Sequence, residues 1–173
     1  MNILSAMSDH WVVVLVWGLV ASAVMATLLE GAQLLGISRM SLPFLFGTVV
    51  TESRRAAIVL GYGLYLLGGW LFAFLYALLF ESLHGAGWWA GLLLGLVHGL
   101  FLVTVFLPLL PYVHPRLATD YDGPGALARL EPPGPFGLNY GRATPATTVL
   151  AQGLYGLIFG LGYAAAALPG RGL

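Results

Sequence analysis

Cysteine is absent from this chain, and that absence removes disulfides, thiolate nucleophiles and cysteine-ligated metal or iron–sulfur centres from consideration. Charge is nearly as scarce. Asp, Glu, Lys and Arg make up 8% of the sequence, where a soluble domain carries about 25%. Seven basic residues balance seven acidic ones, so the clustered positive surface that neutralises nucleic-acid phosphates is missing and nucleic acid is excluded as a partner. There is no P-loop and no dinucleotide-type glycine fingerprint. No serine falls with a histidine and a carboxylate in one predicted cluster. These gaps leave nothing to support an enzyme.

What is present is apolar, and it comes in long runs. Hydrophobic residues make up 59% of the chain. Residues 11–29, 58–80, 88–110 and 146–168 contain no Asp, Glu, Lys or Arg, and their only strongly polar side chains are His98 and Gln152. Each run reaches the roughly 20 residues that a helix needs to cross a hydrocarbon core of about 30 Å. The fold class that follows is all-α: a polytopic membrane protein built as an antiparallel bundle of four transmembrane helices. With 173 residues there is no room for a further soluble domain of ordinary size, so residues 1–173 form a single integral membrane domain. The first run reads as a retained helix and not a signal peptide, because residues 1–10 lack the basic n-region and no A-x-A-like cleavage site follows.

Seven arginines set the expected orientation. Arg39, Arg54 and Arg55 lie in loop 30–57, and Arg116, Arg129 and Arg142 lie in loop 111–145; only Arg171 falls outside these two. Basic residues in short loops stay cytoplasmic. Both loops are therefore expected in the cytoplasm, with the N- and C-termini outside it. Trp11, Trp88 and Trp89 fall at the opposite ends of their spans, where an interfacial aromatic belt belongs.

The loops differ in kind. The 81–87 connection is tight and forces spans two and three to be antiparallel neighbours. Loop one contains an apolar stretch, 41–47, too short to span. Ser41 is placed to cap a short interfacial helix there, with Pro43 in its first turn. Loop three carries six prolines and five glycines between 111 and 143, which suits a linker. Its Tyr112, Tyr121, Phe136 and Tyr140 suggest partial packing.

Small residues recur every fourth position within the spans: Gly18, Ser22 and Ala26; Gly91, Gly95 and Gly99; Gly156, Gly160 and Ala164. Lipid-immersed helices gain little from the hydrophobic effect on association, so close backbone approach supplies the van der Waals attraction. These positions are expected at helix–helix contacts. His98 lies near the middle of span three, about 60° from Gly95 at roughly 100° per residue, and so should face other helices. Three roles fit a buried intramembrane histidine: a structural hydrogen bond, a proton or ion relay, or a ligand to haem, pigment or metal. By depth, Ser22 is the expected hydrogen-bond partner. A bis-histidine haem lacks its second intramembrane histidine. A metal site of His114 with Asp120 and Asp122 matches no strong ligand spacing, and Glu30, Glu52, Glu81 and Asp9 all sit at span ends as interfacial anchors.

The stretches Arg39–Thr48, Gly95–Leu100, Pro108–Arg116 and Leu138–Pro145 resemble a family of small, uncharacterised bacterial four-helix integral membrane proteins. The similarity runs over most of residues 28–160. It implies a bacterial inner-membrane setting and carries over no activity, cofactor or site residue. Two function classes remain. One is a non-enzymatic scaffold, accessory or assembly subunit, whose partners are the lipid bilayer and further copies or a larger membrane complex. The other is a small oligomeric transporter or proton/ion conduit using His98 with Glu30, Arg39 and His114. A cofactor-binding subunit ligated through His98 is the weaker third.

Overall fold

The computed structural model describes residues 3–119 and 129–167. These residues are overwhelmingly helical and form no strand; their one β feature is an isolated bridge between Leu117 and Leu130. The helices are α1 (Ile3–Leu34), α2 (Leu42–Val50), α3 (Arg54–Ser82), α4 (Trp88–Phe101), α5 (Leu107–Val113) and α6 (Thr144–Ala167). A π-helical turn, Leu102–Phe106, joins α4 to α5 without a break, and a 3-10 turn covers Pro135–Tyr140. Four helical stretches are long and apolar enough to cross a membrane: Ser8–Leu34, Arg54–Ser82, Trp88–Val113 and Thr144–Ala167. The all-α, polytopic class expected from the apolar runs is the observed one. The helices overrun those runs because backbone hydrogen bonding continues through the polar residues flanking them.

Local chemistry explains each boundary. At the end of α1, Gly36 adopts a φ of 71°, and Ile37 N–H reaches back to Ala32 O at 2.9 Å, a Schellman stop. Ser41 caps α2, its hydroxyl accepting from Phe44 N–H at 3.4 Å with Pro43 in the first turn. After α3 the left-handed position falls on His84 (φ 53°), and Gly85 N–H closes onto Phe80 O at 3.1 Å. The π turn has a cause in Pro108. Proline supplies no N–H to the ladder, and the preceding turn widens so that Leu107 N–H bonds Leu102 O.

The described residues fall into two compact units, one within 1–28, 66–98 and 150–173, the other within 29–65 and 99–149. In the first, segments of α1, α3, α4 and α6 pack closely. A methyl group added to Gly18 would lie 2.8 Å from Ala73 Cβ, and one on Gly69 would strike the Ser22 hydroxyl. One on Gly162 would strike the Trp17 indole. Backbone meets backbone between α4 and α6. A Cβ on Gly91 would collide with Gly156 O, one on Gly95 with Gln152 O, and one on Gly160 with Gly87 O. Of the small residues expected at contacts, Gly18, Gly91, Gly95, Gly156 and Gly160 are there; Gly99 is buried and Ala26 half-buried. Tyr155, Phe159 and Tyr163, one face of α6 at four-residue spacing, fill the rest of this core with Phe80 and Tyr76.

In the second unit, α2 lies directly on α3. A side chain on Gly47 would collide with Ala57 O, and one on Gly61 with Pro43 O, so both glycines are required by backbone contact. Phe46 wedges between Tyr65 and Phe106. Loop three is more ordered than a linker. Leu117, Ala118, Pro133 and Tyr140 are buried, and Ala118 N–H and Leu130 N–H knit its two arms at 3.0 and 2.9 Å. Two of its aromatics depart from expectation. Tyr112 is 76% exposed and Phe136 48% exposed, because they stand on the outer face of α5 and at a strained turn. Tyr121 lies outside the described residues.

Candidate functional site

In the first unit, His98 is buried on the α4 face that meets α3. Its Nδ1 lies 3.2 Å from the Tyr76 hydroxyl, and its ring rests on Phe72 with centroids 3.8 Å apart. Tyr76 in turn meets the edge of Tyr155 at 5.7 Å, and Tyr155 donates to Gly69 O at 2.6 Å. The partner expected from depth, Ser22, is not the one that the structure provides. Ser22 is fully buried against Gly69, and its hydroxyl makes no hydrogen bond. The physical reason is the 83–87 connection, which sets α3 beside α4 and brings a long tyrosine within reach. The tight loop was legible in the sequence; the rotation of α3 that brings Tyr76 round to His98 was not.

Four polar atoms in this unit are buried with no hydrogen-bond partner: His10 Nδ1, Ser22 Oγ, His98 Nε2 and Gln152 Oε1. As a ligand to haem or pigment, His98 fits poorly. Nδ1 is held by Tyr76, one ring face is covered by Phe72, and Nε2 is enclosed by packed atoms where a macrocycle would need open space. The same unit holds a second polar group. Tyr163 donates to Glu81 Oε1 at 2.8 Å, and His10 Nδ1 lies 3.6 Å from that same oxygen. Glu81 is thus a half-buried acceptor with two side-chain partners, more deeply engaged than an interfacial anchor.

The second unit gathers the residues of loops one and three. His114 is buried, and its imidazole is bound on both sides. Nε2 lies 3.0 Å from Leu45 O and 3.3 Å from the Thr48 hydroxyl, while Nδ1 accepts from Arg116 N–H at 3.1 Å. Arg116 completes the end of α2, donating to Thr48 O and, at 2.9 Å, to Val49 O. A guanidinium suits those unpaired last carbonyls by both hydrogen bonding and charge. Asp120 and Asp122, the other members of the possible metal site, lie outside the described residues. Among the described residues no three His, Asp or Glu side chains gather as a metal site.

Arg39 is the second organiser of this unit. It pairs with Glu131 at 3.2 Å and donates to Asn139 O. Ser38 and Thr144 share a buried hydroxyl–hydroxyl bond of 2.7 Å, and Tyr140 donates to Glu131 O at 2.6 Å. Burial first, then the neighbouring Glu131, pushes the Tyr140 phenol above the ordinary tyrosine range, partly opposed by Arg39. Beside this network is a cavity of about 410 Å³, lined in part by Glu30, Arg39, Arg54, Tyr62, Glu131 and Tyr140. Glu30 and Arg39, grouped from the sequence with His98 and His114 as one polar path, thus face this cavity. Arg39 is engaged in structural pairing, and His114 likewise holds loop three to α2. No family model, no curated protein and no solved structure matches the chain.

Proposed function

We propose that the chain is a non-enzymatic structural component of a membrane assembly, a scaffold or accessory subunit, multi-pass in a bacterial inner membrane with both termini outside the cytoplasm. The observation that supports this reading best is the α4–α6 seam, where Gly91, Gly95, Gly156 and Gly160 bring backbone against backbone. Such a seam gives two helices one fixed relation, which suits a framework. The outer rows of the helices, Leu67, Leu71 and Leu75 on α3 and Leu93 and Val97 on α4, are exposed and apolar, and so suit lipid or neighbouring subunits. Extraction from native membranes in a mild detergent, followed by mass measurement, tests the proposal. A particle whose protein mass exceeds one 18.4 kDa chain is expected; a single copy alone overturns it.

One observation favours a second reading, a proton or ion conduit. His98 Nε2, Ser22 Oγ and Gln152 Oε1 are unpartnered in a membrane-spanning unit, where an unsatisfied polar atom is costly and water would satisfy it. pH-dependent flux in liposomes that requires His98 would establish this reading over the first.

A further inference from the structure

We propose that the cavity of the second unit binds the headgroup of an amine-bearing phospholipid. Its volume of about 410 Å³ is within the roughly 300–1,000 Å³ of small-molecule sites. The charges lining it decide the chemistry. Arg39 is already compensated by Glu131 at 3.2 Å and by the Asn139 carbonyl. Arg54 has no ion-pair or hydrogen-bond partner among the described residues. Glu30 has no cationic partner there and meets only the Tyr62 hydroxyl. Among the described residues the cavity therefore presents one free cation and one free anion, the complement of a zwitterion. A guanidinium offers a fork of donors to a phosphodiester. A carboxylate in a cavity that also presents aromatic rings, here Tyr62 and Phe44, receives an ammonium. A purely anionic headgroup would leave Glu30 opposed to like charge.

A lipid fits this wall better than its free headgroup does. Arg54, Ile58 and Tyr62 follow one another at four-residue spacing on one face of α3, and Ile58 and Tyr62 are 40% and 37% exposed. That face belongs to a helix long and apolar enough to cross a membrane, so an acyl chain has an apolar surface continuous with the polar site. The inference is independent of the scaffold reading.

The test titrates purified full-length protein in lipid-free detergent with dihexanoyl phosphatidylethanolamine, dihexanoyl phosphatidylglycerol or free O-phosphoethanolamine, with binding read by native mass spectrometry. Saturable single-site binding of the ethanolamine lipid is expected, and losing either charge in R54Q or E30Q should weaken it roughly tenfold. Arg54 is exposed at the start of α3, so R54Q keeps the fold and decides the matter even if E30Q does not. Equal binding of the glycerol lipid, or unchanged binding in R54Q, overturns the proposal. Free O-phosphoethanolamine binding as tightly as the lipid also overturns it, making the ligand a soluble amine phosphate.

Discussion

The Tyr76 hydroxyl and His98 Nδ1 lie 3.2 Å apart, joining α3 to α4 inside the membrane-spanning region. This bond defines what His98 does in the fold. A histidine at bilayer depth needs a hydrogen-bond partner, and a tyrosine from the adjacent antiparallel helix supplies it without introducing a second charge. Phe72 holds the ring in place by contact along its face. Substitutions that keep size while changing chemistry separate a positional role from a role in proton transfer.

His98→Gln and Tyr76→Phe are each expected to fold with a modest loss, since intramembrane hydrogen bonds average only about 0.6 kcal/mol. Thermal unfolding in detergent reads this directly. The double variant should lose less than the sum of the two single losses, because both remove the same bond.

Glycine replacements should divide sharply by position. Gly95→Leu would drive a side chain into the Gln152 backbone and lose at least the roughly 1–3 kcal/mol typical of overpacking. A Cβ on Gly68 meets nothing within 4 Å, so Gly68→Ala should leave the melting temperature unchanged or slightly raised. Equal effects at the two positions would show that α4 and α6 are not in backbone contact.

Tyr140 gives a pH dependence with a definite sign. Its folded-state pKa lies above the ordinary 10.0, so the folded protein keeps the phenolic proton after the unfolded chain has lost it. The stability it contributes is intact below pH 10.0 and falls as the pH rises beyond that value. Tyr140→Phe should remove this alkaline slope and, by losing the bond to Glu131 O, cost about 1 kcal/mol at neutral pH. Denaturation followed from pH 8 upward in both proteins checks it, those pH limits being set around the tyrosine range of about 10.

The arginine distribution predicts that residues 2, 85 and 172 are accessible from outside the cytoplasm. The native chain has no cysteine, so single cysteines introduced at these positions give clean labelling with a membrane-impermeant maleimide. Labelling of residue 85 only from the cytoplasmic side would reverse the topology.

Much of the architecture was legible because it rests on local signals. Uninterrupted apolar runs mark the four long helices, Ser41 and Pro43 mark α2, and the four-residue glycine spacing marks the α4–α6 seam. What was not legible depends on rotation and long-range pairing. Choosing Tyr76 over Ser22 for His98 requires knowing how α3 turns toward α4. The burial of His114 depends on Leu45 and Thr48, more than sixty residues away in sequence. The cavity depends on Glu30, Arg54 and Glu131, which three separate stretches bring together. Local pattern carries no information about such meetings.

Proton flux tests the central claim, that the packed interior of this protein is a framework and not a conduit, most directly. Purified protein is reconstituted into liposomes enclosing a pH-sensitive dye, and an inward proton gradient is imposed. The account predicts the same dissipation rate as protein-free liposomes, for the native chain and for His98→Gln alike. Protein-dependent flux that disappears in His98→Gln would contradict it.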